Sequence, residues 1–181
     1  MHQIWIPLLD IPAEGADYEV DEQAVWQVPL DEFSLPYRIV EPLKGKVFLL
    51  PQEDGCLVRG RITGTVAMPC TRCAEDALVV LDQRFEGYEV FPGVGDEEGD
   101  DSVDEAVIRP AAEGPGVELG LSGLLWEEFL LALPVKPLCS TSCKGLCPSC
   151  GKDLNEGACS CSQEEGDPRM SALRGLKIDK H

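Results

Sequence analysis

CLVRGRITGTVAM, residues 56–68, decides the architecture. Leu57, Arg59, Arg61, Thr63 and Thr65 share one face of an extended chain, while Val58, Ile62, Val66 and Met68 share the other. That period of two is the signature of a strand with one buried side. Upstream, residues 46–50 (KVFLL) form a compact β-prone run, and Asp54-Gly55 between the two runs is a hairpin turn signal. Downstream, a cysteine turn at 70–73 leads into a long strand over 78–91. Residues 3–9 and 18–28 read as further strands, and 107–109 as a short one rejoining the sheet. The expectation is an α+β fold whose antiparallel sheet is strongly curved or barrel-like, with one main helix and a small C-terminal zinc-bound cysteine-rich module.

The helix is residues 121–133 (LSGLLWEEFLLAL), with Leu121, Leu125 and Phe129 at i, i+4 and i+8 and Pro134 ending it. Its apolar surface is broken only by Glu127 and Glu128, which predicts burial on most sides; an exposed partner groove is the alternative. Asp167-Pro168 is a cap followed by proline at the first helical position, and Leu173 and Leu176 give a short final helix. Residues 93–105 (GVGDEEGDDSVDE) hold seven carboxylates and no base. Like-charge repulsion predicts a mobile solvated loop there, although such a run could also attract a basic partner.

Over the 181 residues, 33 acids face 15 bases, a formal charge of −18. This excludes a broad basic nucleic-acid footprint, so any RNA contact has to be local or indirect. Residues 139–181 contain six acids and six bases, which leaves 27 acids and 9 bases for residues 1–138. The chain therefore divides into an acidic β-rich domain (1–138) and a charge-balanced cysteine-rich tail (139–181). A basic partner suits the first better than a phosphate backbone does. Residues 1–10 (MHQIWIPLLD) lack a basic, apolar leader pattern, and no apolar run reaches membrane-span length. A cytoplasmic protein without structural disulfides is expected.

Nine cysteines stand at 56, 70, 73, 139, 143, 147, 150, 159 and 161. Cys147, Cys150, Cys159 and Cys161 can close a local four-thiolate site at little loop-closure cost. Cys70, Cys73, Cys139 and Cys143 then form a second site, stapling the sheet turn to the segment leaving the helix. Cys139 or Cys143 could instead join the local group. Two structural zinc ions are predicted, with iron–sulfur ligation open on the same thiolates. Cys56, inside a strand pattern, reads as a buried apolar-like thiol. Four protein ligands leave no open metal position, so the sites would hold structure.

Catalytic readings find little support. His2 and His181 sit at the two ends, no phosphate-binding glycine loop of the required pattern occurs, and scattered carboxylates are expected in so acidic a chain. Cys147-Pro-Ser-Cys150 looks like a dithiol redox motif but lacks the strand and helix that would lower a thiolate pKa. No catalytic residue, small-molecule substrate or membrane partner is assigned.

Several motifs stand in one order along the chain: Met68-Pro-Cys-Thr-Arg-Cys73, Glu127-Glu128 before Pro134, and Cys139-Ser-Thr-Ser-Cys143-Lys-Gly-Leu-Cys147-Pro-Ser-Cys150-Gly-Lys-Asp-Leu-Asn155. Cys159-Ser-Cys161 and Asp167-Pro-Arg169 follow. Together they resemble the YceD family, the large ribosomal RNA subunit accumulation proteins. The resemblance implies a noncatalytic bacterial factor supporting accumulation or processing of large-subunit (23S) ribosomal RNA. It also implies that 70/73/139/143 form one unit and 147/150/159/161 an optional second, since some members lack the downstream pairs and carry His in the position matching Cys139. Combined with the charge, it predicts binding to a basic ribosomal protein or a large-subunit precursor. Lys144, Lys152, Arg169 and Arg174 are candidates for local RNA contact or plain solvated surface. The alternatives are a zinc-stabilised interaction adaptor unrelated to ribosomes and a Cys-x-x-Cys thiol oxidoreductase.

Overall fold

A computed structural model describes residues 3–92, 107–112 and 114–161. The acidic run 93–105, the final helix expected after Asp167, Arg169, Arg174 and both histidines lie outside these residues.

The 56–68 pattern lies within β4 (Gly55–Pro69), where Val58, Ile62, Val66 and Met68 are buried and Arg59 and Arg61 are exposed. It pairs antiparallel with β3 (Arg38–Pro51) through the turn at Asp54-Gly55, and with β5 (Asp76–Val90) through the cysteine turn. β2 (Ala16–Val20) adds to the far side of β3, giving the order β2-β3-β4-β5. A second antiparallel sheet has the order β1-β7-β6, from β1 (Trp5–Pro7), β6 (Ile108–Pro110) and β7 (Val117–Gly120). Of the expected curved or barrel-like sheet, no closed barrel forms among the described residues: the strands make two separate sheets, and the segment near 108 pairs with β7 in the small sheet instead of rejoining the large one.

Among the described residues, two α-helices cover the inner face. α2 (Leu121–Ala132) matches the 121–133 expectation and buries Leu121, Leu124, Leu125 and Phe129. α1 (Ala24–Glu32) replaces the strand expected over 18–28, of which only the β2 portion is extended. Its buried Val25, Trp26, Pro29 and Leu30 fall at i, i+1, i+4 and i+5, one helical face. Gln23, just before it, closes a gap in the large sheet. The β3–β4 register shifts between Glu41 and Lys44, a bulge that takes Leu43 out of the ladder. The Gln23 side-chain amide donates to the Leu43 carbonyl (2.8 Å) and accepts the Leu43 N–H (2.9 Å), so neither backbone group is stranded.

The outer face of the large sheet carries Lys44, Lys46, Arg59, Arg61 and Arg84, all exposed and at alternate positions of three adjacent strands. Cross-strand ion pairs lace it: Lys46–Glu19 (2.6 Å), Arg59–Glu86 (2.7 Å) and Arg61–Asp82 (2.6 Å). Five of the nine bases of residues 1–138 thus gather on one face. On that face Asp17, Glu19, Asp82 and Glu86 stand among them, so it is nearly balanced in charge.

Candidate metal centres

Two turns in different parts of the chain fold alike. In the first, the Cys70 N–H donates to the Glu75 carbonyl (2.8 Å) and the Ala74 N–H to the Cys70 carbonyl (2.9 Å). In the second, the Cys147 N–H donates to the Lys152 carbonyl (2.8 Å) and the Gly151 N–H to the Cys147 carbonyl (2.9 Å). The residue after the second cysteine is left-handed in both, Ala74 at φ 65° and Gly151 at φ 73°. Each turn thereby presents two sulfurs to one point, as Cys-x-x-Cys knuckles must to reach a shared ion.

The first point is completed by Cys139 and Cys143, and the second by Cys159 and Cys161; within each group all four Sγ atoms lie within 4.8 Å of one another. Neither Cys139 nor Cys143 joins the second group. Separations of 3.8 Å for Cys70–Cys143 and 3.5 Å for Cys73–Cys139 stand beside the roughly 3.8 Å tetrahedral edge that 2.3 Å zinc–sulfur bonds give. The donor sets fit a four-coordinate thiophilic ion. Cys56 belongs to neither group: it is buried in β4, where burial pushes its thiol up to about 11.

The first cage takes two sulfurs from the β4–β5 turn and two from beyond α2, and Ala77 and Leu138 pack against it. The Thr71 N–H donates to the Pro137 carbonyl (3.0 Å), fastening the incoming segment. Arg72, between two of the sulfurs, links the cages. Its backbone N–H reaches the Cys70 sulfur (3.5 Å), and its guanidinium donates to the Cys143 carbonyl (2.6 Å). Its own carbonyl accepts the Leu146 N–H (3.1 Å), just ahead of the second knuckle. Gly145 makes this approach possible: it is left-handed at φ 76°, and a Cβ there would stand 2.9 Å from the Arg72 oxygen.

Asn155 is a further cage residue. Its Nδ2 donates to the Cys143 sulfur (3.4 Å), its Oδ1 accepts the Lys144 N–H (2.8 Å), and its own N–H donates to Asp153 Oδ1 (2.7 Å). In the sequence it is only the end of a motif; the Asp153-x-Asn155 spacing, typical of side chains folding back on a turn, is the signal that marks it. Of the tail bases, Lys152 donates to the Ala158 carbonyl (3.1 Å), and Lys144 is exposed.

Without a cation the thiols of one cage are driven apart. The Cys139 backbone N–H, helped by that of Arg72, draws Cys70 down to about 6, and the Asn155 amide lowers Cys143. Against the pull of the Glu75 N–H, burial and the neighbouring sulfurs push Cys73 up to about 12. In the second cage the Cys150 and Ser149 N–H groups hold Cys147 at about 6, while the sulfur of Cys150 and burial push Cys161 up to about 12. Four thiolates this close repel one another unless a positive ion sits among them.

An α+β domain with one four-cysteine cluster between its sheet and the segment beyond α2, and a second cluster in that segment, each able to hold a metal ion, is the class that fold and site define. A family model described as Large ribosomal RNA subunit accumulation protein YceD matches residues 58–177. The match runs from β4 through both cages, and the chain belongs to the YceD family. It is also similar to the Large ribosomal RNA subunit accumulation protein YCED homolog 1, chloroplastic, of Arabidopsis thaliana, at 22% identity over 160 residues. That alignment covers 75% of this chain and 49% of the relative, so the chain spans about half the relative's length. No solved structure matches. Among the described residues, no helix is long and apolar enough to cross a membrane.

Proposed function

We propose that this protein is a noncatalytic, cytoplasmic ribosome-biogenesis factor that supports accumulation or processing of large-subunit ribosomal RNA by binding a basic ribosomal protein or a large-subunit precursor particle. The family match over residues 58–177 carries the reading. The formal charge of −18 directs it toward a basic partner and makes RNA contact local or indirect.

Zinc at each cage would supply the positive charge that lets four thiolates share one point. The eight cysteines named above would hold it. Arg72 and Asn155 brace the first cage and join it to the second, and Thr71 fixes the segment leaving α2. With all four positions of each site taken by protein sulfur, no place is left for a water or substrate, so the cages act as fasteners. The acidic body then meets the partner as a rigid unit.

Crosslinked pulldown at low salt, with protein and RNA identified together, tests this. Large-subunit proteins and precursor ribosomal RNA are expected. Recovery of neither would point to an adaptor outside ribosome assembly. Direct RNA binding with a steep salt dependence would contradict the basic-protein route.

A further inference from the structure

Where the outer sheet face mixes bases with the acids paired to them, the helical layer carries acids without bases. α1 (AVWQVPLDE) and α2 (LSGLLWEEFLLA) contain no lysine or arginine, nor do the whole stretches 21–37 and 110–135. Their exposed carboxylates include Asp31, Glu32 and Glu127. Among these charges lie four exposed or half-buried apolar side chains on neighbouring helix positions. Phe33, 55% exposed, stacks on Trp126 with ring centroids 6.3 Å apart and planes within 14°. Leu130, 40% exposed, stands one helical turn beyond Trp126, and Leu131, 72% exposed, stands one turn beyond Glu127 at the edge of this apolar group.

Phe33 is held in place. The chain leaves α1 through left-handed Ser34 (φ 51°), and the Leu35 N–H returns to the Leu30 carbonyl (2.9 Å), closing the helix end with the ring outside. A fixed aromatic stack beside exposed leucines is the kind of surface that dominates protein–protein binding energy.

We propose that the Phe33–Trp126–Leu130–Leu131 strip is the docking surface for a basic segment of the partner, one that lays apolar side chains on the strip and lysines or arginines against Asp31, Glu32 and Glu127. The inference rests on the proposed function and names its contact surface. Charge complementarity selects the occupant. A second copy of the chain would bring the same carboxylates face to face, and a phosphate backbone or anionic lipid surface would meet like charge.

The test uses the full-length, metal-loaded chain and two probes: total protein of the large ribosomal subunit freed of RNA, and a 23S RNA transcript. Bound proteins are identified by mass. Phe33→Ser with Leu131→Glu should weaken capture of basic large-subunit proteins by at least about tenfold, the effect of losing one well-buried apolar contact. Glu127→Lys should weaken it too. Val80→Glu, an exposed apolar position on the outer sheet face, should leave capture unchanged, and melting curves verify that each variant is folded. Unchanged capture by Phe33→Ser/Leu131→Glu, with wild-type capture intact, overturns the surface and leaves the proposed function standing. Capture of the transcript, lost in Lys46→Glu/Arg61→Glu and indifferent to the strip, assigns binding to RNA at the outer sheet face and likewise overturns it. A wild-type chain that captures no large-subunit protein brings down this surface and, with it, the basic-protein route of the proposed function.

Discussion

Gly145→Ala probes the joint between the two cages. At φ 76° an alanine pays a left-handed penalty of roughly 1–2 kcal/mol, less about 0.4–1 kcal/mol regained from a stiffer unfolded chain. The new Cβ would also stand 2.9 Å from the Arg72 oxygen and 3.2 Å from the Arg72 Cβ. Arg72 has little room to retreat, since its N–H, carbonyl and guanidinium are committed to Cys70, Leu146 and Cys143. Losing the Leu146 bond adds about 1 kcal/mol, for a total of about 2 kcal/mol. Gly151→Ala is the matched control: its φ is 73° and nothing lies within 4 Å of the added Cβ, so only the net backbone cost of about 1 kcal/mol remains. Thermal melts of the metal-loaded proteins should place Gly145→Ala below Gly151→Ala by about 2–4 °C. Metal release to a chelator should also be faster for Gly145→Ala. Equal melts and equal release for the two variants would refute the view that Arg72 and Gly145 couple the cages.

Other substitutions probe the same framework. Ala74→Gly relieves a left-handed alanine in the first knuckle and should stabilise the folded protein by up to about 1 kcal/mol, read from denaturant midpoints. Arg72→Ala removes a charged donor from the Cys143 carbonyl and should cost about 1.5–3 kcal/mol, with metal release accelerated. Burial, with the Glu127 charge added, raises Glu89 above 4.5, so its favourable contribution is present below the unfolded pKa and is lost as pH rises through the folded one. Glu89→Gln should therefore melt above wild type at about pH 7 and converge with it below about pH 4. Thiol reagents should leave all nine cysteines of the native metal-loaded chain slow to react. Metal removal should free eight, and Cys56 should react only on unfolding.

The core of the large sheet was legible because residues 57–62 of β4 alternate between its faces and its hairpin has an Asp-Gly turn. What failed was local preference judged against distant partners. Val25-Trp26 looks β-prone and Pro29 looks like a breaker, yet both sit on the buried face of α1, where tertiary packing outweighs propensity. The small sheet joins Trp5 to Gly120 and Ile108 to Leu119, and nothing local in VELG announces a strand lying between two such remote neighbours. The grouping of the cysteines could be argued from spacing, since short loops cost little to close. Their bracing could not: Arg72, Gly145 and Asn155 act through backbone contacts that arise only once the two turns meet. The gathering of five bases was half visible, in the alternate cations of KGK and RGR, but placing them on one face needed the register between strands.

Two closed cages of four sulfurs are expected to hold the acidic domain and its tail in one shape. Elemental analysis of freshly purified protein, joined to amide exchange over residues 139–161 before and after chelation, tests it most directly. Two zinc ions per chain are predicted, with protection of that segment lost when they are removed, as structural sites worth roughly 10–16 kcal/mol require. A metal-free chain whose residues 139–161 exchange just as slowly would contradict it.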